Sequence, residues 1–308
     1  MPSKVLSWLK KQGYSLEMRV AQTFEQAGFE VSQSQRYLDP GSDELREIDV
    51  VASLHRQIDG IDASITLFIE CKYSQDKPWV IFTSSRRLDP LFYFSRILHD
   101  KYNVYEWKIQ KGLQGRLLAR ILSTLPRDSV DFDFFRMPKS VGYSVVQALG
   151  NPDAKDNAYT ATMQVSNCVE AHDIGVERSH QETIQDYERM NDTGFGPGTF
   201  SIYCSIAFPM IVVQGNLFEC YLDSKNEIAI SETRESLVVL GSKNRGDESR
   251  TKPCTSVVRI VTESDLQVVA EKGHQAAMLL LSQEHAIREL WEYECQKLER
   301  TVVEGSPF

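Results

Sequence analysis

The segment REIDVVA, residues 46–52, places a single acid, Asp49, within a run of apolar, strand-forming residues. The segment TLFIECKYS, residues 66–74, does the same with Glu70 and Lys72. Charged groups are costly to bury unless they are paired with an opposite charge or bound to a cation. The fold and the function of this chain therefore depend on how these two apolar segments bring their charged residues together.

The turn between the two segments sets their register. Asp59-Gly60 is typical of a two-residue hairpin turn, so residues 47–54 and 64–73 are predicted to form antiparallel strands. Such a hairpin pairs positions whose numbers sum to about 119, which sets Asp49 opposite Glu70. Because side chains alternate along a strand, Lys72 shares the face of these two acids, while aliphatic residues fill the opposite face.

Two carboxylates that face each other across a hairpin predict a cation between them. Like charges directly opposite repel unless a counter-ion separates them. Mg²⁺, or Mn²⁺ in its place, is a hard ion that is usually held by one or two carboxylates together with waters and a phosphate. Asp49 and Glu70 are the predicted ligands. Lys72 can then contact a phosphate oxygen or orient an attacking water.

A helix is predicted ahead of the hairpin, over about residues 15–27. Ser15 suits the N-cap, apolar residues follow at helical spacing, and Gly28 stands where a C′ glycine ends a helix. Glu17 lies in the first turn of this helix, and a strand is predicted from Phe29. The order is therefore helix, strand, strand with Asp49, and strand with Glu70 and Lys72.

This order of elements resembles the restriction-endonuclease-like PD-(D/E)XK nuclease superfamily. The matching segments are SLEMRVAQTF with Glu17, EIDVVA with Asp49, and FIECKYS with Glu70-Cys71-Lys72. Ile48 stands where the Pro of the superfamily's name would be, and the match covers about residues 13–75.

The resemblance implies an α/β fold with a mixed central sheet flanked by helices. It implies that Asp49 and Glu70 hold one or two divalent metals and that Lys72 supports the nucleophilic water. It also implies that Glu17 assists the metal site.

The rest of the core is predicted from the later part of the chain. The superfamily's core continues with a helix and a strand, which residues 158–171 and 203–214 could supply. Residues 1–75 would then begin the core, residues 76–157 would be a mainly helical insertion, and residues 158–308 would complete the core and add C-terminal strands and helices. The alternative is a compact nuclease domain ending near residue 125, followed by an unrelated domain. We favour the insertion because residues 84–125 contain no strand as convincing as 203–214.

Charge is distributed unevenly along the chain. Residues 1–130 hold 18 Lys and Arg against 16 Asp and Glu, whereas residues 131–308 hold 16 against 27. The first half is therefore the place to expect nucleic acid, and the acidic half could dock a protein partner. Basic and aromatic residues in a predicted helical stretch could contact phosphates, although a solvated helix face fits them equally well. They are Arg86, Arg87, Tyr105, Trp107, Lys108, Lys111, Arg116 and Arg120.

Composition argues against several other classes of protein. No apolar run reaches the length of a membrane span, and the N-terminus lacks the order of a signal peptide. The six cysteines are scattered without the spacing of a disulfide framework or a zinc site. We therefore expect a cytoplasmic protein that has no membrane partner.

Simpler interpretations stand beside these. The face with Asp49 and Glu70 could be a solvent-exposed strand face with a cross-strand salt bridge. Glu17 could be an acid favoured by the helix dipole, and Glu47 could be either a further ligand or a solvated acid. The expectation from sequence is a Mg²⁺-dependent nuclease that hydrolyses phosphodiester bonds in DNA. The alternative is a catalytically inactive module of the same fold that binds nucleic acid or protein.

Overall fold

A ten-stranded mixed sheet, with helices on both faces, is the frame of the part of the chain that the structure describes. The structure is a computed structural model. It describes residues 1–9, 13–58, 61–74, 76–83, 134, 140–150, 156–192, 202–241, 255–285 and 287–288. The helices in these ranges are α1 (Pro2–Leu9), α2 (Tyr14–Gln26), α3 (Asn157–Asp192) and α4 (Leu266–Leu281).

The strands follow the chain as a hairpin-rich first part and a more scattered second part. They are β1 (Glu30–Leu38), β2 (Leu45–Ile58), β3 (Ile61–Tyr73), β4 (Trp79–Thr83), β5 (Gly142–Gln147), β6 (Ile202–Gln214), β7 (Leu217–Leu222), β8 (Ile228–Thr233), β9 (Glu235–Gly241) and β10 (Thr255–Thr262). Their order in the sheet is β1-β2-β3-β6-β10-β9-β5-β4-β7-β8. The α/β class and the mixed central sheet expected from the sequence are therefore present.

The predicted hairpin register is confirmed. Strands β2 and β3 pair antiparallel from Val50 opposite Ile69 to Ile58 opposite Ile61, so that paired positions sum to 119. Both strands extend further toward the turn than predicted. The two residues between them lie outside the described part of the chain.

The strand predicted at 203–214 is observed as β6, and it pairs parallel with β3. The ladder runs along the whole of β3, from Ile61 opposite Ile202 to Tyr73 opposite Gln214. The helix predicted at 158–171 is the first part of α3, which packs against β3 and β6. Strand β6 therefore lies in the same sheet as the hairpin, and α3 packs against that sheet.

Two apolar clusters cover the two faces of the hairpin. The first packs α2 and α4 against Val50, Ile65 and Ile69. The second packs α3 against Val51 and Phe68 from the opposite face. Burying one large aliphatic side chain contributes about 1.5–3 kcal/mol, so these clusters hold the hairpin firmly between helices. The hairpin is not half-exposed, and the interpretation of a solvated charged face is wrong.

Helix α2 ends as its sequence predicts. Gly28 adopts φ 101°, in the left-handed region that a C′ glycine favours. A β-carbon at this position would lie 2.9 Å from Nε2 of His274, a residue of α4. The absence of a side chain therefore both ends the helix and lets α4 approach it closely.

Several sequence expectations differ from the structure. Residues 76–157 were expected to be mainly helical, but their described parts include the strands β4 and β5, which belong to the same sheet. The basic and aromatic series between Arg86 and Arg120 lies outside the described residues. The expected C-terminal strands are observed as β7, β8 and β10, and β9 is an additional strand that was not predicted. In the described ranges, no helix has the length and apolar character needed to span a membrane.

Candidate active site

The β2–β3 ladder stops at one pair and the two strands then separate. Beyond Val50 opposite Ile69, β2 remains paired with β1 as far as Leu45, and β3 remains paired with β6 as far as Tyr73. The next position in the register is Asp49 opposite Glu70. We call this place the fork, defined by Asp49, Glu70 and Lys72, and its two sides the β1/β2 arm and the β3/β6 arm.

Asp49 bridges the fork through its side chain. Its Oδ2 accepts a hydrogen bond of 2.7 Å from the backbone N–H of Cys71 on the other arm. Regular alternation is interrupted here, because Ile48 and Val51 both pack in the second cluster although strict alternation puts them on opposite faces. Ser34, opposite Asp49 on β1, has φ 55°. This local irregularity accompanies a carboxylate that reaches across the fork.

Glu70 is the most buried charged group of the fork, with 1% of its surface exposed. Its Oε1 forms an ion pair with the Lys72 ammonium, but its Oε2 is buried and has no hydrogen-bond partner among the described residues. Burial first, and then the charge of Asp49, raise the pKa of Glu70 to about 7. Burying a carboxylate oxygen without a partner costs free energy, so a cation or a proton bound to this atom would stabilise the folded protein.

Lys72 is the part of the fork that reaches solvent, with 30% of its side chain exposed. Burial acts to lower its pKa, but attraction to Glu70 and Asp49 outweighs burial and leaves the pKa raised. Lys72 is therefore charged at neutral pH. Its ammonium lies where it can neutralise Glu70 and also contact a group arriving from outside.

Glu17 lies in the electrostatic neighbourhood of the fork. Burial, followed by the charges of Asp49 and Glu47, raises its pKa, while Lys72 lowers it. Among the described residues, however, no group of three or more His, Cys, Asp or Glu side chains is arranged to hold a metal ion. The structure therefore brings Asp49, Glu70 and Lys72 together and places Glu17 near them without a third ligand in position. Glu47 is exposed.

The fork fits a hard cation better than a soft one. Its donors are carboxylate oxygens, and Mg²⁺ is commonly held by one or two carboxylates, with water and phosphate as its other ligands. Cys71 lies between the two key residues in sequence but packs in the first cluster on the far face. Burial raises its thiol pKa well above the ordinary value, so the free thiol is protonated at neutral pH. The residues present therefore fit Mg²⁺ or Mn²⁺ bound by two carboxylates.

The sequence reasoning missed a set of polar residues that surround the fork. The Tyr37 hydroxyl on β1 donates to the Gln164 carbonyl at 3.0 Å, and Gln164 Nε2 donates to the Glu47 carbonyl at 2.9 Å. Asn167 Nδ2 lies 3.1 Å from both oxygens of the Asp39 carboxylate. These contacts join residues more than a hundred positions apart, and no local pattern signals them.

No family model, curated protein or solved structure matches this chain. The functional argument therefore rests on the geometry and electrostatics of the fork.

Proposed function

We propose that this chain is a divalent-metal-dependent nuclease of the PD-(D/E)XK type that hydrolyses phosphodiester bonds in DNA. The observation that carries the proposal is the buried, unpartnered Oε2 of Glu70, opposite Asp49 and beside a charged lysine. The large majority of buried polar side-chain atoms have a hydrogen-bond partner, whereas Oε2 of this ion pair has none among the described residues. A cation from solvent would be the partner of this Glu70 oxygen.

Asp49 and Glu70 would hold the ion. Glu70 offers Oε2, and Asp49 offers the oxygen that does not accept the Cys71 hydrogen bond. When bound, a divalent ion neutralises charge on the phosphate and lowers the pKa of water. The protein's own contribution is to keep two carboxylates on separate strands at the mouth of one fork.

Lys72 is proposed to act on the substrate directly. It is charged, partly exposed and anchored through Glu70, so its ammonium can donate to a phosphate oxygen or orient the attacking water. Glu70 itself is too buried to touch a substrate. This division gives Glu70 a role in binding metal and Lys72 a role in the reaction.

Glu17 is proposed to assist the metal site from helix α2. Its carboxylate is partly exposed and interacts electrostatically with Asp49, Glu47, Lys72 and Glu70. DNA is proposed to approach through the less acidic first half of the chain, and the acidic second half is available for a protein partner.

A second candidate is a catalytically inactive nuclease-fold module that binds nucleic acid or protein. The Glu70–Lys72 ion pair favours it, because that pair neutralises one carboxylate without a metal. The lack of a third acidic ligand among the described residues favours it as well.

The test is a cleavage assay with the full chain on circular and linear DNA and on RNA. We expect cleavage of DNA with Mg²⁺ or Mn²⁺, no cleavage with EDTA, and poor support by Ca²⁺, whose looser coordination aligns the attack less well. A preparation of Asp49→Asn controls for contaminating nucleases. If the wild type cleaves none of these substrates but binds nucleic acid, the inactive module is the correct function.

A further inference from the structure

Helix α3 spans the fork and contacts both of its arms. On the β3/β6 arm, Val165 and Cys168 pack in the second cluster with Phe68 and Ile211. Burial, and then the charge of Glu70, raise the pKa of Cys168 to about 12, which is consistent with a position close to that carboxylate. The helix is therefore fixed relative to Glu70 by apolar packing.

On the β1/β2 arm, α3 packs with Ile48 in the second cluster and also makes hydrogen bonds. A single residue, Gln164, bonds to both strands of that arm. Its backbone carbonyl accepts the Tyr37 hydroxyl of β1, and its side-chain amide donates to the Glu47 carbonyl of β2. Glu47 is two residues before Asp49, so the amide holds the strand segment that carries the metal-binding acid.

A second tie lies one helical turn further along α3. Asn167 contacts the buried Asp39 carboxylate, which also pairs with Arg46 of β2 at 2.8 Å and accepts from the Gly41 N–H at 2.7 Å. Residues three apart lie on the same face of a helix, so Gln164 and Asn167 face the same arm. The second tie holds the tip of the arm, whereas Gln164 holds it beside the fork.

These contacts matter because backbone pairing between the arms has ended. Beyond Val50 opposite Ile69, the β2–β3 ladder no longer sets the separation of Asp49 and Glu70. The remaining links are the Asp49–Cys71 hydrogen bond and the bridge through α3. The bridge holds both arms by apolar packing in the second cluster, and on the β1/β2 arm Gln164 adds two hydrogen bonds, one of them two residues from Asp49.

We propose that Gln164 is a positioning residue that sets the separation of the Asp49 and Glu70 carboxylates and thereby the affinity of the fork for a divalent cation. This inference rests on the proposed function, because it assumes that the fork binds metal. Groups that orient metal ligands from outside the coordination shell typically change metal affinity 10–100-fold when removed. We expect an effect of about that size.

The test measures Mn²⁺ binding to the full chain by electron paramagnetic resonance of the free ion, without substrate. Gln164→Met keeps the length of the side chain and removes the donor. It should weaken Mn²⁺ binding about 10–100-fold while the circular dichroism spectrum stays that of the wild type. Tyr37→Phe, which keeps the ring and removes the hydroxyl donated to Gln164, should weaken binding in the same direction by a smaller factor. It serves as the test if Gln164→Met does not fold.

Thr162→Val is the matched control. Thr162 lies on the same helix, is fully buried, and donates only to the carbonyls of its own helix in the contacts that the structure shows. Its replacement should lower stability slightly and leave Mn²⁺ affinity unchanged. A loss in Gln164→Met that the control does not share supports the positioning role.

Two other results would overturn the idea in distinguishable ways. If the wild type binds Mn²⁺ and both Gln164→Met and Tyr37→Phe bind it equally well, the positioning role is wrong while the metal site stands. If the wild type binds no Mn²⁺ and Asp49→Asn behaves identically, the metal site itself is wrong, and the proposed function fails with it.

Discussion

The two ends of the β2–β3 hairpin are built from the same strands but behave differently. Toward the turn, backbone pairing continues to Ile58 opposite Ile61, and apolar side chains of the first cluster bury one face. At the other end pairing stops, and the ladder is replaced by the charged side chains of the fork. There, the Asp49 carboxylate accepts the Cys71 N–H across the gap between the arms.

This difference shows how one hairpin can serve stability and chemistry at once. The paired end satisfies its polar groups within the backbone and leaves nothing to bind a ligand. The separated end frees side-chain oxygens, and one of them, Glu70 Oε2, is left without a partner among the described residues. Mutations at the two ends should therefore have separable consequences.

The largest effect is expected on activity at the fork. Lys72→Ala should reduce the rate of DNA cleavage about 10²–10⁴-fold, the usual contribution of a positioned proton-transfer group. Asp49→Asn should abolish metal-dependent cleavage and keep the fold, because an amide oxygen can still accept from Cys71. Single-turnover cleavage and circular dichroism measure these outcomes. Lys77→Ala, at a nearby exposed lysine, is the control. Full activity in both fork variants would show that the active site lies elsewhere in the protein.

At the paired end, the expected loss is in stability. Ile65→Ala removes a buried side chain of the first cluster and should lower the free energy of unfolding by about 2–5 kcal/mol. Urea denaturation measures this change. The folded variant should bind Mn²⁺ as the wild type does. A large loss of metal affinity in Ile65→Ala would mean that the two ends are not separable.

The next effect concerns pH in the absence of metal. The pKa of Glu70 is raised from 4.5 to about 7 in the folded state, so the unfolded chain releases this proton first as pH rises. Stability should therefore fall between about pH 4.5 and pH 7, by about 3 kcal/mol from this group alone. Urea unfolding in EDTA across this range measures the slope.

Glu70→Gln should remove most of that pH dependence. Excess Mg²⁺ at pH 8 should restore stability in the wild type but not in this variant, because a ligand that binds only the folded state stabilises it. An identical slope in both proteins would show that Glu70 is not the titrating group.

The smallest effect is expected at a polar contact between the two strands of the paired region. The Ser53 and Thr66 hydroxyls lie 3.4 Å apart on opposite strands. Thr66→Val should cost about 1 kcal/mol, the net value of a single hydrogen bond, and should leave cleavage unchanged. Thermal denaturation and the same cleavage assay measure both outcomes. A loss of cleavage would show that the Ser53–Thr66 contact influences the geometry of the fork.

The hairpin and helix α2 were predictable because their signals are local. Asp59-Gly60 fixed the register, and the apolar spacing up to Gly28 fixed the helix within one or two residues of its ends. Strand β6 was predictable because residues 202–214 are a long, mostly apolar run.

The less local features were not predictable. Strand β5 is short and its pairing partners, β4 and β9, are distant in sequence, so no local pattern distinguishes it from a loop. Strand β9 is also short, although it pairs with β10, the next strand along the chain. Strand β4 lies at the start of residues 76–157, which the sequence predicts to be a mainly helical insertion.

The site was predicted only as far as the hairpin reaches. The register placed Asp49 opposite Glu70, but it did not reveal that the ladder ends there or that α3 ties the arms together. Gln164 carries no sequence signal, because its role depends on two contacts with residues 117 and 127 positions away. The role of Glu17 as a ligand remains a prediction from resemblance.

The parallel pairing of β3 with β6 has a consequence for the newborn chain. Strand β3 has a partner on both of its edges only after Ile61 pairs with Ile202, a residue about 140 positions later in the chain. At a synthesis rate of about 5–20 residues per second, the ribosome completes the fork's charged residues roughly seven to thirty seconds before it completes β6. During that interval the β3 edge of the apolar hairpin is unpaired. An unpaired strand edge can pair with other chains and aggregate. Efficient production of this protein should therefore depend on chaperones that shield strands during translation.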